Sequence, residues 1–227
     1  MSVCVLLEDR IEVPLSIRSL ADFRRWARSD AFPRRGRIDY LQGRLEVDMS
    51  PEDLFTHGRL KSRIVAVLEM LADRDAPGYL FTDSTAVTND EAGLSAEPDV
   101  VFVSKEALAT GRVRMVPKAG GEPDRYVEVA GSPDLIVEVV SDHSVAKDVQ
   151  RLPPIYFQAG VRELWLVDAR RDPLQFIIHR RGSAGFEPTS ADAEGFAESL
   201  VFGRRFALLR RRDELGFWTY DLRMAGK

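Results

Sequence analysis

The sequence predicts an α/β protein with a mixed central β-sheet flanked by helices. Three observations lead there. Short apolar runs, at 100–103 and 135–140, have the length of strands. Longer segments with apolar residues at helical spacing, such as 57–73, separate them. The two kinds are interleaved along the chain, the pattern of a sheet with helices packed on it. No repeat or interdomain linker divides the 227 residues, so one domain over 1–227 is expected, with 1–17 as an N-terminal extension and 200–222 as further C-terminal strands.

Each element has its own signal. Ser19 and Asp22 read as a capping box, and Phe23 and Trp26 follow at helical spacing, so a helix runs to about Arg28. Residues 37–47 alternate about Gln42-Gly43 as a β-hairpin. In 57–73, Leu60, Ile64, Val67, Leu68 and Leu71 form one helix face, and Pro77-Gly78 ends it. Residues 79–88 and 100–103 read as strands, 105–112 as a short helix and the Gly- and Pro-rich 113–125 as loop. Strands at 126–129 and 135–140 are joined through Gly131-Ser132. The second is apolar except at Glu138, as in a central strand covered on both faces. A helix over 144–159 is irregular at Pro153-Pro154 and stops at Gly160. Strands at 163–167 and 174–179 precede those of the tail. The strands at 79–88, 98–103, 126–129, 134–140 and 163–167 are expected in one sheet.

Composition narrows the functional class. Hydrophobic residues are 44% of the chain and charged residues 30%, enough for a core and a solvated surface, which argues against bulk disorder. A net charge of −4 argues against a non-specific nucleic-acid coat. The arginine clusters (24, 25 and 28; 34, 35 and 37; 204 and 205; 210 to 212) read most simply as solvated faces. Cys4 is the sole cysteine, so no internal disulfide or Cys-rich zinc site can form, which suits a reducing compartment. The N-terminus does not read as a signal peptide and no stretch approaches a membrane span, so a soluble, cytoplasmic protein without a membrane partner is expected.

The informative residue is Glu138, an acid inside the apolar run Leu135-Ile136-Val137-Glu138-Val139-Val140. A buried carboxylate is costly unless it is paired, hydrogen-bonded or bound to metal. A salt bridge to a buried arginine is the structural alternative. Asp99 stands just before the run at 100–103, where a strand-start turn residue after Pro98 is the simpler explanation. Two acids on neighbouring strands can converge on one hard cation, and Mg²⁺ takes one or two carboxylates plus water and phosphate. Such a metal activates water and offsets charge on a phosphodiester. Asp124 and Asp134 also follow prolines and compete with Asp99. Asp134 lies roughly 13 Å along the strand from Glu138, too far to share a metal.

Pro98-Asp99 followed by Val137-Glu138-Val139 resembles the PD-(D/E)XK nuclease signature. The segments PDLIVEVVSDHSVAKD, LPPIYFQAGVRELWLVDAR, DYLQGRLEVDMSPEDLFTH and AEPDVVFVS resemble, more closely, a large bacterial family of restriction-endonuclease-like proteins, over roughly 18–222. The resemblance implies a restriction-endonuclease-like mixed sheet, Mg²⁺ or Mn²⁺ as cofactor, a nucleic-acid partner (DNA) and a homodimer. It implies a Mg²⁺-dependent endonuclease with Asp99 and Glu138 as metal ligands, and a place near the cleft for His57. Trp165, Phe217, Trp218 and Tyr220 add apolar surface that suits pairing. The sequence departs from the signature at its lysine, because the position two after Glu138 is Val140. Relatives carry a lysine in the following helix, where this chain has Leu152. Lys147 is the nearest replacement, and Arg151, one turn later on the same face, is the reserve. Glu46, Asp48 and Glu97 are further candidates near the site. The displaced lysine keeps a second reading open: a nuclease-like binding or regulatory protein with a weak or inactive site. A metal-dependent hydrolase acting on another substrate is a third.

Overall fold

The structure, a computed structural model, describes residues 4–7, 11–118 and 123–226. Its architecture is mixed α/β, built on two six-stranded sheets rather than one. The first contains β5 (Gly78–Thr82), β8 (Val100–Ser104), β11 (Leu135–Val139), β12 (Glu163–Asp168), β13 (Gln175–Arg181) and β14 (Phe186–Pro188), in the order β14-β13-β12-β11-β8-β5. The β11–β12 pair is parallel and the other pairs are antiparallel. The second contains β3 (Arg37–Leu41), β4 (Arg44–Asp48), β6 (Ala86–Asn89), β7 (Leu94–Ala96), β9 (Val113–Pro117) and β10 (Tyr126–Gly131), in the order β4-β3-β7-β6-β10-β9. A short hairpin, β1 (Cys4–Leu7) with β2 (Ile11–Pro14), precedes them. A three-stranded sheet, β15 (Ala197–Ser199), β16 (Arg204–Arg212) and β17 (Trp218–Ala225), closes the chain.

Three sequence expectations need correction. The strand expected over 79–88 breaks at Asp83 and Ser84, whose φ values of 32° and 53° turn the chain from β5 into β6 of the other sheet. For the same reason the strand at 126–129 pairs with β6 and β9, not with β11. Part of the segment read as loop, Val113–Pro117, is β9. By contrast, the Gln42-Gly43 turn has left-handed residues at both central positions (φ 50° and 90°), the geometry of a tight two-residue hairpin between β3 and β4.

The helices are α1 (Leu20–Ala27), α2 (Leu60–Arg74), α3 (Lys105–Ala109) and α4 (Leu152–Gln158). Ser19 caps α1 by accepting from the Asp22 amide, and Leu20, Phe23 and Trp26 form its buried face. The two helices near the candidate site begin with wider, π-helical turns, Leu54–Arg59 before α2 and Lys147–Arg151 before α4. Pro153 and Pro154 fall in the first turn of α4, directly after the π-helical turn, where their missing N–H groups interrupt the helical ladder. On β11 the side chains alternate between two cores. Leu135, Val137 and Val139 join Leu60, Ile64, Leu68 and Trp165 on one face, and Ile136 joins Leu152 and Tyr156 on the other. Both faces are covered, so Glu138 is buried. No helix among the described residues is long and apolar enough to cross a membrane.

Candidate active site

β8 and β11 run antiparallel with Leu135 opposite Phe102, Ile136 opposite Val101 and Val137 opposite Val100. Carried one residue further, that register sets Glu138 opposite Asp99, on the face of Ile136 and Val101. Directly opposed residues of an antiparallel pair have Cβ atoms about 4.5–5.5 Å apart. Both acids are buried, 1% exposed for Asp99 and 2% for Glu138. The structure thus brings the two acids together on one face of the sheet.

Their partners differ. Asp99 Oδ2 accepts from the Val139 amide at 2.8 Å and lies 3.3 Å from His57 Nε2, while Oδ1 accepts from Arg37 Nη2 at 3.2 Å. Burial alone would raise the Asp99 carboxyl, but the His57 hydrogen bond and the Arg37 charge hold it well below the usual range. Glu138 accepts from the Tyr156 hydroxyl at 2.6 Å, not from a buried arginine. Burial first, then the charges of Asp148 and Asp99, push its carboxyl well above the usual range, and Lys147 offsets this in part. Asp148 is pushed up to about 6 by its own burial, against the pull of Lys147. Its Oδ1 is buried without a hydrogen-bond partner.

The cations are already engaged. Lys147, 5% exposed, donates to Asp39 Oδ2 at 2.9 Å and lies 4.0 Å from Asp148 Oδ1. Arg151 binds Glu46 with two contacts of 2.6 Å. Leu152 is buried among Ile136, Ile155 and Tyr156. Lys147 and Glu46 line an open cleft with Asp48, Ser50, His143 and Ser144, a route from solvent to the Lys147 side of the cluster.

His57 sits in the π-helical turn, with Nδ1 3.1 Å from Glu52 and Nε2 facing Asp99. Burial would lower it, but the two carboxylates raise it to about 9. Lys61 joins this side, 2.6 Å from Asp83 and 3.2 Å from Glu52. Glu97 contributes its amide to Asp39 Oδ1, and burial raises its carboxyl. Asp48 accepts from Ser50, so it acts locally. The competitors to Asp99 fall away: Asp134 is tied to the Ser104 amide, Arg112 and Arg162, and Asp124 is exposed in a left-handed turn. Arg37, read as part of a solvated cluster, instead reaches Asp99. Arg37, Asp39, Glu52, Lys61, Asp148 and Tyr156 were not singled out from the sequence. Asp39, flanked by Ile38 and Tyr40 in a strand, carries the same signal as Glu138.

The donor chemistry fits a hard divalent cation. The charge of Asp99 raises the buried carboxyls of Glu138 and Asp148, Asp148 raises that of Glu138, and Asp148 Oδ1 has no hydrogen-bond partner. Glu52, His57 and Asp99 offer a second donor set, with ligand atoms within 4.8 Å of one another. There the raised His57 already fills the gap as a cation between two carboxylates, so the Glu138 side is the better candidate.

The Uma2 family, described as "Putative restriction endonuclease", matches residues 20–208 of the chain. The chain belongs to the Uma2 family. The match spans β8, β11 and both π-helical turns of this Uma2 chain, and it ends inside β16. Among solved structures, a putative nuclease from Anabaena variabilis aligns with a TM-score of 0.58 at 15% identity, covering 82% of this chain and 90% of that one. At that identity the likeness is one of fold, and it agrees with a restriction-endonuclease-like architecture. No curated protein matches the chain.

Proposed function

We propose that the protein is a Mg²⁺- or Mn²⁺-dependent endonuclease that hydrolyses phosphodiester bonds of DNA. The observation that carries this reading is the pairing of Asp99 and Glu138 on one buried sheet face, with Asp148 beside them, in a chain of the Uma2 family. Asp99 and Glu138 would hold the metal. Bound there, the cation would supply a more acidic water and offset negative charge on the phosphate. His57, Arg37 and the Val139 amide hold the Asp99 carboxylate ionised and in one orientation. Tyr156 fixes Glu138 from the other side. Lys147 is the cation nearest to the displaced lysine, and exchanging Asp39 for a phosphate oxygen would bring its charge to the reacting group.

The engaged cations favour a second reading. Lys147 is paired with Asp39, Arg151 with Glu46, and Leu152 is apolar, which suits a nuclease-like DNA-binding protein with a weak or inactive site. Nicking of supercoiled plasmid separates the two. The enzyme reading expects cleavage in Mn²⁺ or Mg²⁺, none in EDTA and none from Glu138→Gln. Metal-independent cleavage, or a wild-type rate from Glu138→Gln, contradicts it. No cleavage in any metal favours the second reading. A homodimer, on the resemblance, in the cytoplasm, on the single cysteine, completes the proposal, and light scattering tests the pairing.

A further inference from the structure

α2 and the β16–β17 hairpin are packed together through Leu60, Ile64, Leu208, Tyr220 and Leu222. Along their outer seam runs an open groove lined by Arg59, Arg63, Arg211 and Arg223 and by a single carboxylate, Asp221, while Arg210, also in the lining, turns its guanidinium to Asp172 and to the Ala169 and Arg171 carbonyls. Asp221 is divided between Arg63 at 3.2 Å and Arg223 at 3.0 Å. Arg59 and Arg211 are exposed and have no acidic partner among the described residues. In a chain of net charge −4, that excess of positive charge is local to this face. The hairpin pairing makes the excess regular: Arg211 pairs with Thr219, Leu209 with Asp221 and Ala207 with Arg223, so these side chains lie on one face of the ribbon.

The groove is anchored to the candidate active site. Arg59 ends the π-helical turn that carries His57, two residues away. At the other end of the same turn, Phe55 stacks on Phe217 of the hairpin, with ring centroids 4.7 Å apart and planes 1° from parallel. Behind the groove, Trp218 is held between Arg210 and Arg212, at 4.3 and 3.7 Å from the ring centroid, which stiffens the ribbon. The family match ends at residue 208, inside β16, and β17 lies beyond it.

We infer that the groove between α2 and the β16–β17 hairpin binds the phosphodiester backbone of duplex DNA flanking the bond to be cut, with Arg59 and Arg211 as its principal phosphate contacts. This deepens the nuclease reading and rests on it. Exposed guanidiniums without carboxylate partners suit phosphate oxygens through paired N–H donors. A rigid two-stranded ribbon beside a helix supplies a fixed track for them.

The test is fluorescence anisotropy with a short labelled duplex in EDTA, so that binding is read without cleavage. Wild type and Glu138→Gln should bind alike. Arg59→Ala/Arg211→Ala should bind at least about tenfold more weakly, with the slope of log affinity against log salt reduced by about 2 for two lost phosphate contacts. Both arginines are exposed, so an unchanged melting temperature is expected and excludes misfolding. Arg223→Ala gives a second variant on the same track. Wild-type affinity and slope in both variants would overturn the groove while leaving the nuclease reading intact. Failure of the wild type to bind duplex would overturn both. Tighter binding of single-stranded RNA that is insensitive to these arginines would also overturn the groove.

Discussion

At the scale of the residue, the site is a set of buried charges that satisfy one another incompletely. Removing an ion from water costs several kcal/mol even after relaxation, so each such group needs a partner. Asp99 has three neighbouring donors, whereas Glu138 has one hydroxyl and two acids that disfavour its charge. The charge of Lys147 favours the ionised form of Glu138, and its role can be measured. Lys147→Ala should lower turnover at least about tenfold, about 1.4 kcal/mol in barrier, and Lys147→Arg should restore part of it. Arg151→Ala should have a smaller effect, because Glu46 already binds Arg151. An unchanged rate in Lys147→Ala with a collapse in Arg151→Ala would transfer the role. Asp99 and Glu138 were legible in the sequence because an acid beside or within an apolar run has few inexpensive explanations. Asp39 carries the same strand signal, whereas Glu52 and Asp148 do not, since each sits where a polar residue is ordinary: a loop and a helix start. Only the packing of β3 and the two π-helical turns against β8 and β11 makes them part of one cluster.

At the scale of the element, errors in reading the sequence came where a local break or a local composition hid the long-range partner. Thr82-Asp83-Ser84-Thr85 is a polar interruption in an otherwise continuous strand signal, and two left-handed residues use it to change sheets. β9 was obscured by the Gly- and Pro-rich stretch that follows it, although Val113, Met115 and Val116 carry an apolar pattern. β13 supplies a titration that is separate from the acidic cluster. Burial lowers the His179 pKa from its ordinary 6.5, a backbone hydrogen bond at Leu164 offsets this in part, and its Nδ1 is buried without a partner. The folded state then binds fewer protons than the unfolded state. His179 thus contributes stability that is fully present above pH 6.5 and is lost as pH falls through the lower folded value. Melting temperature should decline on acidification through this window, and His179→Leu should flatten that part of the profile. An unaltered profile in the variant would assign the decline to other groups.

At the scale of the whole molecule, two six-stranded sheets meet so that β3 of one delivers Arg37 and Asp39 to the acids on β8 and β11 of the other. The aromatic residues that suggested a dimer interface are largely used within the chain. Trp165 is wholly buried against Phe176, Phe202 and Phe206, Tyr220 lies in the same core, and Phe217 stacks on Phe55. In the proposed function, Asp99 and Glu138 form a single metal site. A crystal soaked in Mn²⁺ tests it most directly through the anomalous difference map. The account predicts one peak bridging the Asp99 and Glu138 carboxylates, at roughly the 2.1 Å typical of hard-cation ligation. A peak held by Glu52, His57 and Asp99 without Glu138, or no peak at saturating Mn²⁺, would contradict it.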